Sequence, residues 1–434
     1  MGFMRLFIAI FVGKTIAFIT RFLNIGGGSA APGLYALKVD PNLVSKLASK
    51  VSYANVVITG TNGKTTAAKL LSHLAKAHRF KVIHNSTGSN LERGIASTLI
   101  KNYDLLDSFK KPAYKQQGIA IWELDEAAFN SVAPKLDPEV IVFLNIFRDQ
   151  MDRYGEVDIV IKRWSETLKK LDKETIIFAN GDDANITKLK TSFPGQMGFF
   201  GLEDHKIRGE SINHKTTQKL DFTVGNIKLN GLDGSTFNLK AYEEQQKINL
   251  PLPGFYNIYN LLAAVAVGTC FEFKSDKTRD SLNNFSSAFG RAEKLPFGSI
   301  FLIKNPTGAT QVFETLVSQI KSNDRLLLAL NDNLADGTDV SWIWDAEFEK
   351  LEIRNLKLEI ICSGTRANEL AVRLKYAGFK ASQITVEPSL VSALEGGRTG
   401  LQGSLYILPT YTAMLAIQRI LAKMGIKKEY WRET

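Results

Sequence analysis

The chain has 434 residues, 44% hydrophobic and 23% charged, with 54 Lys and Arg against 44 Asp and Glu for a formal net charge of +10. These proportions are those of a globular protein with a sizeable core, about two to three domains long. The two cysteines, Cys270 and Cys362, are far apart, which excludes a disulfide framework and a cysteine-based zinc site and fits reducing, cytoplasmic surroundings.

The positive charge points to an anionic partner: nucleotide, phosphorylated substrate, nucleic acid or an anionic membrane face. The chain has no RNP-type motif, no zinc-finger spacing and no long Lys/Arg block, so nucleic acid is disfavoured.

In chain order, the first element is MGFMRLFIAIFVGKTIAFITRFLNI, apolar and mildly basic. Lys14 and Arg21 interrupt it, and its longest early uncharged run, Leu6–Gly13, falls short of the ~20 residues that span a bilayer. The expectation is an amphipathic helix that packs on the body or rests on a membrane surface, a cleaved signal being the third alternative. Gly26–Gly33 (GGGSAAPG) reads as a hinge-like break.

From Asn55, short apolar runs alternate with helical patterns, the signature of parallel α/β architecture. Strands are expected at 55–59, 81–85, 118–124, 140–146 and 175–180, with helices such as Thr65–Ala77 and Val160–Leu171 between them. Residues 198–250 are polar and turn-rich, with runs such as LDFTV and KINLPL that predict a small antiparallel patch. Asn260–Phe271 reads as a buried helix. A second, Rossmann-like α/β unit follows, with strands at 299–303, 325–330, 357–362 and 404–408 and helices such as Thr310–Lys321 and Ala367–Tyr376. The expected division is 1–45 for the N-terminal helix and linker, 46–295 for a central α/β domain and 296–434 for a C-terminal α/β domain.

The sharpest motif is VVITGTNGKTTAAKLLSHL, residues 56–74. A strand enters a Gly-rich turn and leaves as a helix. Gly60, Thr61, Asn62 and Gly63 shape a loop whose N–H groups face one anion, and Thr66 lies in the helix's first turn. Lys64 supplies a positive charge for the terminal phosphates of ATP, and the Thr65 hydroxyl can hold Mg²⁺. Ile58 stands where the common phosphate-loop pattern has its first glycine. Glu123, Asp125 and Glu126 end a strand, where α/β sheets place ligand-binding groups. Glu123 is the best second Mg²⁺ contact, directly or through water, against the alternative of a solvated acidic loop.

Together these residues resemble the Mur ligase family: GTNGKTT (60–66), WELDE (122–126), NIFRDQMDRYG (145–155), NGDD (180–183), GFYNIYNLLAA (254–264) and GRAE (290–293). The resemblance implies a central P-loop ATPase domain with a C-terminal domain closing on it. Asn257 and Asn260 would lie on the adenine side, and Arg291 would face the transferring phosphate or else form an interdomain ion pair. Gln150, Tyr256 and Lys304 stand where many members carry histidine, with the five histidines (73, 78, 84, 205, 214) elsewhere. No lysine in IVIKRWSETLKKL securely matches the carbamylated one of other members, Lys162 being merely near.

The C-terminal stretches IKNPTG (303–308), LNDNLADGTDVSWIWD (330–345), SGTRANELAVRL (363–374) and LPTYTAM (408–414) resemble the amidating branch of the family. That resemblance implies a carbon–nitrogen ligase of peptidoglycan synthesis at the inner membrane face. Its reaction is ATP-dependent amidation of the α-carboxylate of D-glutamate in the lipid II stem peptide through an acyl phosphate. Ammonia would come from a separate, GatD-like glutaminase subunit. Some members carry a four-cysteine zinc ribbon; here the corresponding stretch, roughly 200–245, has no cysteine, so no zinc is expected. Rival readings are an amino-acid-adding or folylpolyglutamate-type ligase and a non-enzymatic nucleotide-binding scaffold.

A glutaminase needs an activated cysteine, a histidine base and an orienting carboxylate. Cys270 lies on an apolar helix, Cys362 lacks the G-x-C-x-G elbow, and no histidine follows His214, so a second subunit or free ammonia is required. The stretch NDNLADGTDVSWIWD (331–345) is not a calcium loop, since Leu334 and Ile343 fall where ligands are needed. It is either a solvated turn or, as the resemblance implies, the source of Asp339, a carboxylate that completes the partner's Cys–His pair.

Overall fold

The computed structural model describes residues 2–23, 30–85, 89–108, 117–147, 157–203, 218–241, 244–285, 291–352 and 358–427. Three helices open the chain: α1 (Gly2–Phe22), α2 (Ala31–Val39) and α3 (Leu43–Ala48). The expected break at Gly26–Gly33 falls partly outside the described residues, and its end is helical rather than a hinge. Pro32 sits in the first turn of α2, where a missing N–H costs nothing. Gly33 comes so close to the Arg93 carbonyl that a Cβ there would collide with backbone.

The expected amphipathicity of α1 is also corrected. Leu6, Ala9 and Ile10 are buried toward the body while Phe7, Phe11 and Phe18 on the other side are exposed, so the helix is apolar on both faces.

The first sheet contains β1 (Ala54–Thr59), β2 (Lys81–His84), β3 (Gly118–Glu123), β4 (Val140–Phe143), β5 (Ile176–Asn180), β6 (Met197–Leu202), β7 (Phe222–Leu229), β8 (Ser235–Ala241) and β9 (Glu244–Leu250). Its order is β2-β3-β1-β4-β5-β6-β7-β8-β9. Pairing is parallel from β2 through β7 and antiparallel for β7–β8 and β8–β9. The antiparallel patch is thus confined to β7–β9, and β6, which its polar surroundings had assigned to that patch, extends the parallel sheet.

Helices on both sheet faces explain the near-continuous apolar strands. Successive side chains of a strand point to opposite sides. Val57, Trp122, Ile141 and Phe143 join a core with Phe129 and Trp164, whereas Val56, Ile58, Ile121 and Val142 pack with Leu70, Leu71, Leu261 and Leu262 on the other side. The first core lies under α5 (Glu92–Lys101), α7 (Glu126–Leu136) and α8 (Val157–Leu168), where α6 is Tyr103–Ser108; the second lies under α4 (Lys64–Ala77) and, beyond the short α9 (Ala184–Thr187), α10 (Phe255–Cys270).

After α11 (Ser275–Leu282) comes a six-stranded sheet: β10 (Arg291–Leu295), β11 (Gly298–Phe301), β12 (Arg325–Ala329), β13 (Glu359–Ser363), β14 (Ile384–Val386) and β15 (Leu405–Pro409), in the order β10-β11-β15-β12-β13-β14. It starts at Arg291, ahead of the boundary expected at 296, because β10 pairs antiparallel with β11. The other pairings are parallel. Leu326 and Leu328 face one core, Leu327 and Ala329 the other, again buried on both sides. Helices α12 (Pro306–Val317), α13 (Glu349–Glu352), α14 (Ala367–Tyr376), α15 (Leu390–Arg398) and α16 (Tyr411–Lys423) complete the unit.

Candidate active site

Strand β1 lies between β3 and β4, so the crevice beyond its C-terminal end is the point where the strand order turns. The Gly-rich loop leaves β1 there. Gly60 has φ +138°, and a Cβ on it would lie 2.8 Å from the Asn145 carbonyl oxygen. Gly63 has φ +90° and abuts the Asn260 side chain. It also precedes α4 with no side-chain cap, so the helix presents its N-terminal N–H groups toward the crevice.

The segment after β4 braces this loop. Thr61 N–H donates to the Asn145 carbonyl at 3.0 Å, and Asn62 N–H donates to Asn145 Oδ1 at 2.8 Å. Asn145 Nδ2 returns a bond to the Asn62 carbonyl at 3.0 Å. In turn, Asp183 accepts from Ile146 N–H at 2.8 Å while capping α9 through Asn185 and Ile186 N–H. Burial pushes its carboxyl up to about 6, despite three N–H donors that favour the charged form.

Lys64 is buried and forms an ion pair with Glu126 at 3.0 Å; its ammonium also donates to the carbonyls of Gly60 and Thr61. Burial alone would raise the Glu126 carboxyl, but Lys64 and then Lys304 outweigh it and hold the group below its ordinary value. Thr65 Oγ1 donates to Glu123 Oε2 at 2.8 Å, which brings the two expected Mg²⁺ contacts together. Glu123 Oε1 meets His84 Nε2 at 2.9 Å, and Asn85 clasps the Glu123 backbone through both its N–H and its carbonyl. A hydroxyl and a carboxylate beside the phosphate loop are hard oxygen donors, a set that fits Mg²⁺ sharing its other positions with water and phosphate. Among the described residues, no three His, Cys, Asp or Glu groups cluster into a metal site of their own. Asp125 caps α7 rather than facing the crevice.

The second domain reaches the loop directly. Asn305 is fully buried and exchanges bonds with Asn62: Asn305 Nδ2 donates to Asn62 Oδ1 at 2.9 Å and Asn62 Nδ2 to Asn305 Oδ1 at 3.3 Å. Each is worth about 0.5–1.5 kcal/mol net. Lys304 Nζ lies 3.4 Å from the Thr61 carbonyl oxygen. Between the domains is a cavity lined in part by Asn62, Thr66, Phe147, Asn260, Lys304 and Gln311. Asn260 Nδ2 donates to Asn257 Oδ1 at 3.2 Å, and Asn257 Nδ2 to the Pro253 carbonyl at 2.8 Å, so both asparagines are fixed at this end of α10.

Sequence reasoning missed His84, Asn145 and Asn305. His84 stands away from the three positions where many members carry histidine, yet β2 pairs with β3 and places it beside Glu123. The position of His84 at a strand end was the available signal. Lys162 is exposed on α8 and does not join the site. The side chain of Arg291, and residues 148–156 with Gln150, lie outside the described residues, as do His205 and His214.

The acidic loop after β12 sorts its carboxylates. Asp332 accepts from the Thr365 hydroxyl at 2.7 Å and pairs with Arg366 at 2.7 Å, interactions that hold it below its ordinary value. Asp336 is buried, accepting from Thr412 N–H at 2.7 Å and from its hydroxyl at 2.5 Å; burial raises its carboxyl. Asp339 is exposed, its Oδ1 accepting from Ser341 N–H at 2.8 Å. Close by in sequence, Trp344 is half exposed and meets exposed Tyr376 edge to face at 5.3 Å. Burial pushes the Cys270 thiol up to about 11 and the Cys362 thiol up to about 12, so neither is a ready nucleophile.

A phosphate loop at the turn of a parallel sheet, a threonine–carboxylate pair beside it and a second α/β domain bonded across the loop define a Mur-type ligase. Residues 58–268 match the Mur ligase middle domain, and residues 302–414 match the MurT ligase C-terminal domain. The chain is 31% identical to the lipid II isoglutaminyl synthase (glutamine-hydrolyzing) subunit MurT of Streptococcus pneumoniae, covering 97% of this chain and 98% of that one. It is also 31% identical to the Staphylococcus aureus MurT subunit, over 89% of this chain and 91% of the other. The chain belongs to the MurT family.

Solved structures share the fold at lower identity. MurF from Acinetobacter baumannii superposes with a TM-score of 0.67 at 17% identity, covering 90% of this chain and 80% of that one. The ADP- and AMPPCP-bound folylpolyglutamate synthase of Mycobacterium tuberculosis gives 0.64 at 16%, covering 89% and 95%.

Proposed function

We propose that this chain is the ATP-consuming subunit of a lipid II isoglutaminyl synthase, which converts the α-carboxylate of D-glutamate in the stem peptide to the carboxamide. The observation that carries this reading is the end-to-end likeness to MurT subunits, acidic loop included.

A carboxylate does not react with ammonia at neutral pH, because it offers a poor electrophile and no leaving group. One of its oxygens therefore attacks the γ-phosphorus of ATP, the bond to the β–γ bridging oxygen breaks, and ADP leaves. Ammonia then attacks the carbonyl carbon of the acyl phosphate, loses a proton, and phosphate departs. The loop N–H groups and the start of α4 hold the phosphates, and Lys64 exchanges Glu126 for the γ-phosphoryl oxygens. Thr65 and Glu123 would hold Mg²⁺, which when bound offsets charge on the transferring group. Lys304 brings a further cation from the second domain, and Arg291 is assigned the same task. Asn257 and Asn260 position the adenine side. The Asn62–Asn305 link keeps the second domain over the loop, excluding water that would hydrolyse the acyl phosphate.

Ammonia is supplied by a GatD-like glutaminase seated on the C-terminal domain, with Asp339 orienting the histidine of its Cys–His pair. The raised thiols of Cys270 and Cys362 and the exposure of Asp339, Trp344 and Tyr376 support this. The reaction takes place at the cytoplasmic side of the membrane, where the lipid-linked substrate is reached.

The test is co-purification with the candidate glutaminase, followed by mass spectrometry of lipid II after incubation with ATP and glutamine. Hydroxyl-to-amino exchange on the stem peptide is expected. Joining of an amino acid instead, with no response to ammonia, would place the chain among amino-acid-adding ligases; ATP hydrolysis indifferent to both would leave a nucleotide-binding scaffold.

A further inference from the structure

Helix α1 holds its inner face against the body through Leu6, Ala9, Ile10 and Gly13, and a Cβ on Gly13 would lie 2.6 Å from the Ile100 side chain. Its outer face is just as apolar. Phe7, Phe11, Phe18 and Phe22 are 67%, 66%, 69% and 79% exposed, and Met4, Ile8, Ile19 and Leu23 are exposed beside them. At ~100° per residue, Met4, Phe7, Ile8, Phe11, Phe18, Ile19 and Phe22 fall within an arc of about 120°. Helix α2, which packs against α1, exposes Leu34 and Tyr35 as well.

The rim of this face is basic. Helix α1 contains Arg5, Lys14 and Arg21 and no acidic residue. On the helical wheel Arg5 lies to one side of the apolar arc, and Lys14 and Arg21 lie to the other. Arg5 donates to the Val39 carbonyl at 3.0 Å, and Lys14 pairs with solvent-exposed Asp104 at 3.0 Å. Lys38 of α2 stands over the Tyr35 ring, 5.2 Å from its centroid. No helix among the described residues is long and apolar enough to cross a membrane.

We infer that the outer face of α1 is a membrane-docking surface that lies in the interface of an anionic bilayer, its phenylalanines at the acyl boundary and its arginines and lysine among the headgroups. Charge selects this occupant. A second copy would set the same basic rim against itself with no acidic residue on the helix to answer it, whereas an anionic leaflet complements both sides. The bound inner face keeps the helix parallel to the protein surface, so it lies on the membrane and does not insert across it. The inference stands on this helix and does not require the proposed substrate.

The test uses the purified full chain and sedimenting vesicles that contain no lipid II. Vesicles of phosphatidylcholine with phosphatidylglycerol are expected to bind at least about tenfold more tightly than phosphatidylcholine alone, and salt should weaken that binding. The triple variant Phe7→Ser/Phe11→Ser/Phe18→Ser should lose at least about tenfold in vesicle affinity while nucleotide binding and the melting transition stay unchanged. In a second measurement, Phe11→Trp should give indole emission that shifts to shorter wavelength with anionic vesicles. Vesicle binding that the triple variant retains, or an emission that ignores vesicles, overturns the inference. So does a concentration-dependent dimer that only the wild-type chain forms, in the absence of vesicle binding.

Discussion

Two loops leave the C-terminal ends of parallel strands in this molecule, and they are built in opposite ways. In the loop after β1, Thr61 and Lys64 are buried, as are Glu123 at the end of β3 and Glu126 just beyond it, and each is tied to another element of the site. After β12, Asp332 and Asp336 are tied to Arg366 and Thr412 while Asp339 faces solvent. A group whose task lies within the chain is enclosed by the chain. A group held firmly at its flanks and offered outward is suited to a task that another molecule completes. On the proposed function, the contrast would separate ATP chemistry from nitrogen supply, and substitution can test each half alone.

The largest effect is expected at Lys64. Lys64→Met leaves Glu126 buried without its Lys64 ion pair and removes the charge proposed to meet the γ-phosphoryl group, so amidation should fall by roughly 10³-fold or more with glutamine and with ammonium salt alike. If the loss were confined to glutamine, the division between the two loops would collapse. Asp339→Asn should do the converse, lowering glutamine-driven amidation by about 10²–10⁴-fold while ammonium-driven amidation stays within about threefold of wild type. Equal loss with both nitrogen sources would remove Asp339 from the partner's site.

The first loop was legible in the sequence because its information is local. Gly60, Gly63, Lys64 and Thr65 are fixed by turn geometry and helix start within a few residues, and Glu123 by its place at a strand end. What braces them was not legible: Asn305 is 243 positions from Asn62, and His84 is 39 from Glu123. Those pairings depend on strand order and domain contact; a strand end marks His84 as a candidate but does not name its partner. In the second loop the family resemblance singled out Asp339, but how Asp332 and Asp336 are held was not legible: Thr365, Arg366 and Thr412 come in from distant elements. In α1 the failure had another cause. Apolar residues on both faces cancel the periodic signal that would have revealed which side faces outward.

His84 sharpens the account of the enclosed loop. It fixes one Glu123 oxygen while Thr65 engages the other, so His84→Ala should weaken Mg²⁺-dependent ATP binding by roughly 10-fold with little change in Mg²⁺-free binding. His84→Gln, which keeps a donor, should recover most of it. Titration calorimetry with and without Mg²⁺ distinguishes this from a folding defect, which would lower both.

The effect furthest from the chemistry, on stability and not on catalysis, concerns the brace beneath the loop. Asp183 holds Ile146 N–H, and so the Asn145 segment that grips Thr61 and Asn62. Burial raises its carboxyl to about 6 from a reference of 3.8. The folded state therefore binds more protons than the unfolded state between those values. Its contribution to stability is fully present below the unfolded pKa and is lost as pH rises through the folded one. The wild-type chain minus Asp183→Asn should accordingly show an unfolding free-energy difference that falls, by on the order of 1–3 kcal/mol, between about pH 4 and pH 6.5. Asparagine replaces one acceptor with a donor and costs stability at every pH, so the slope is the readout and the offset is not. Denaturant titrations across that range decide it, and parallel curves would mean that Asp183 enters the fold already ionised and that its three N–H donors outweigh its burial.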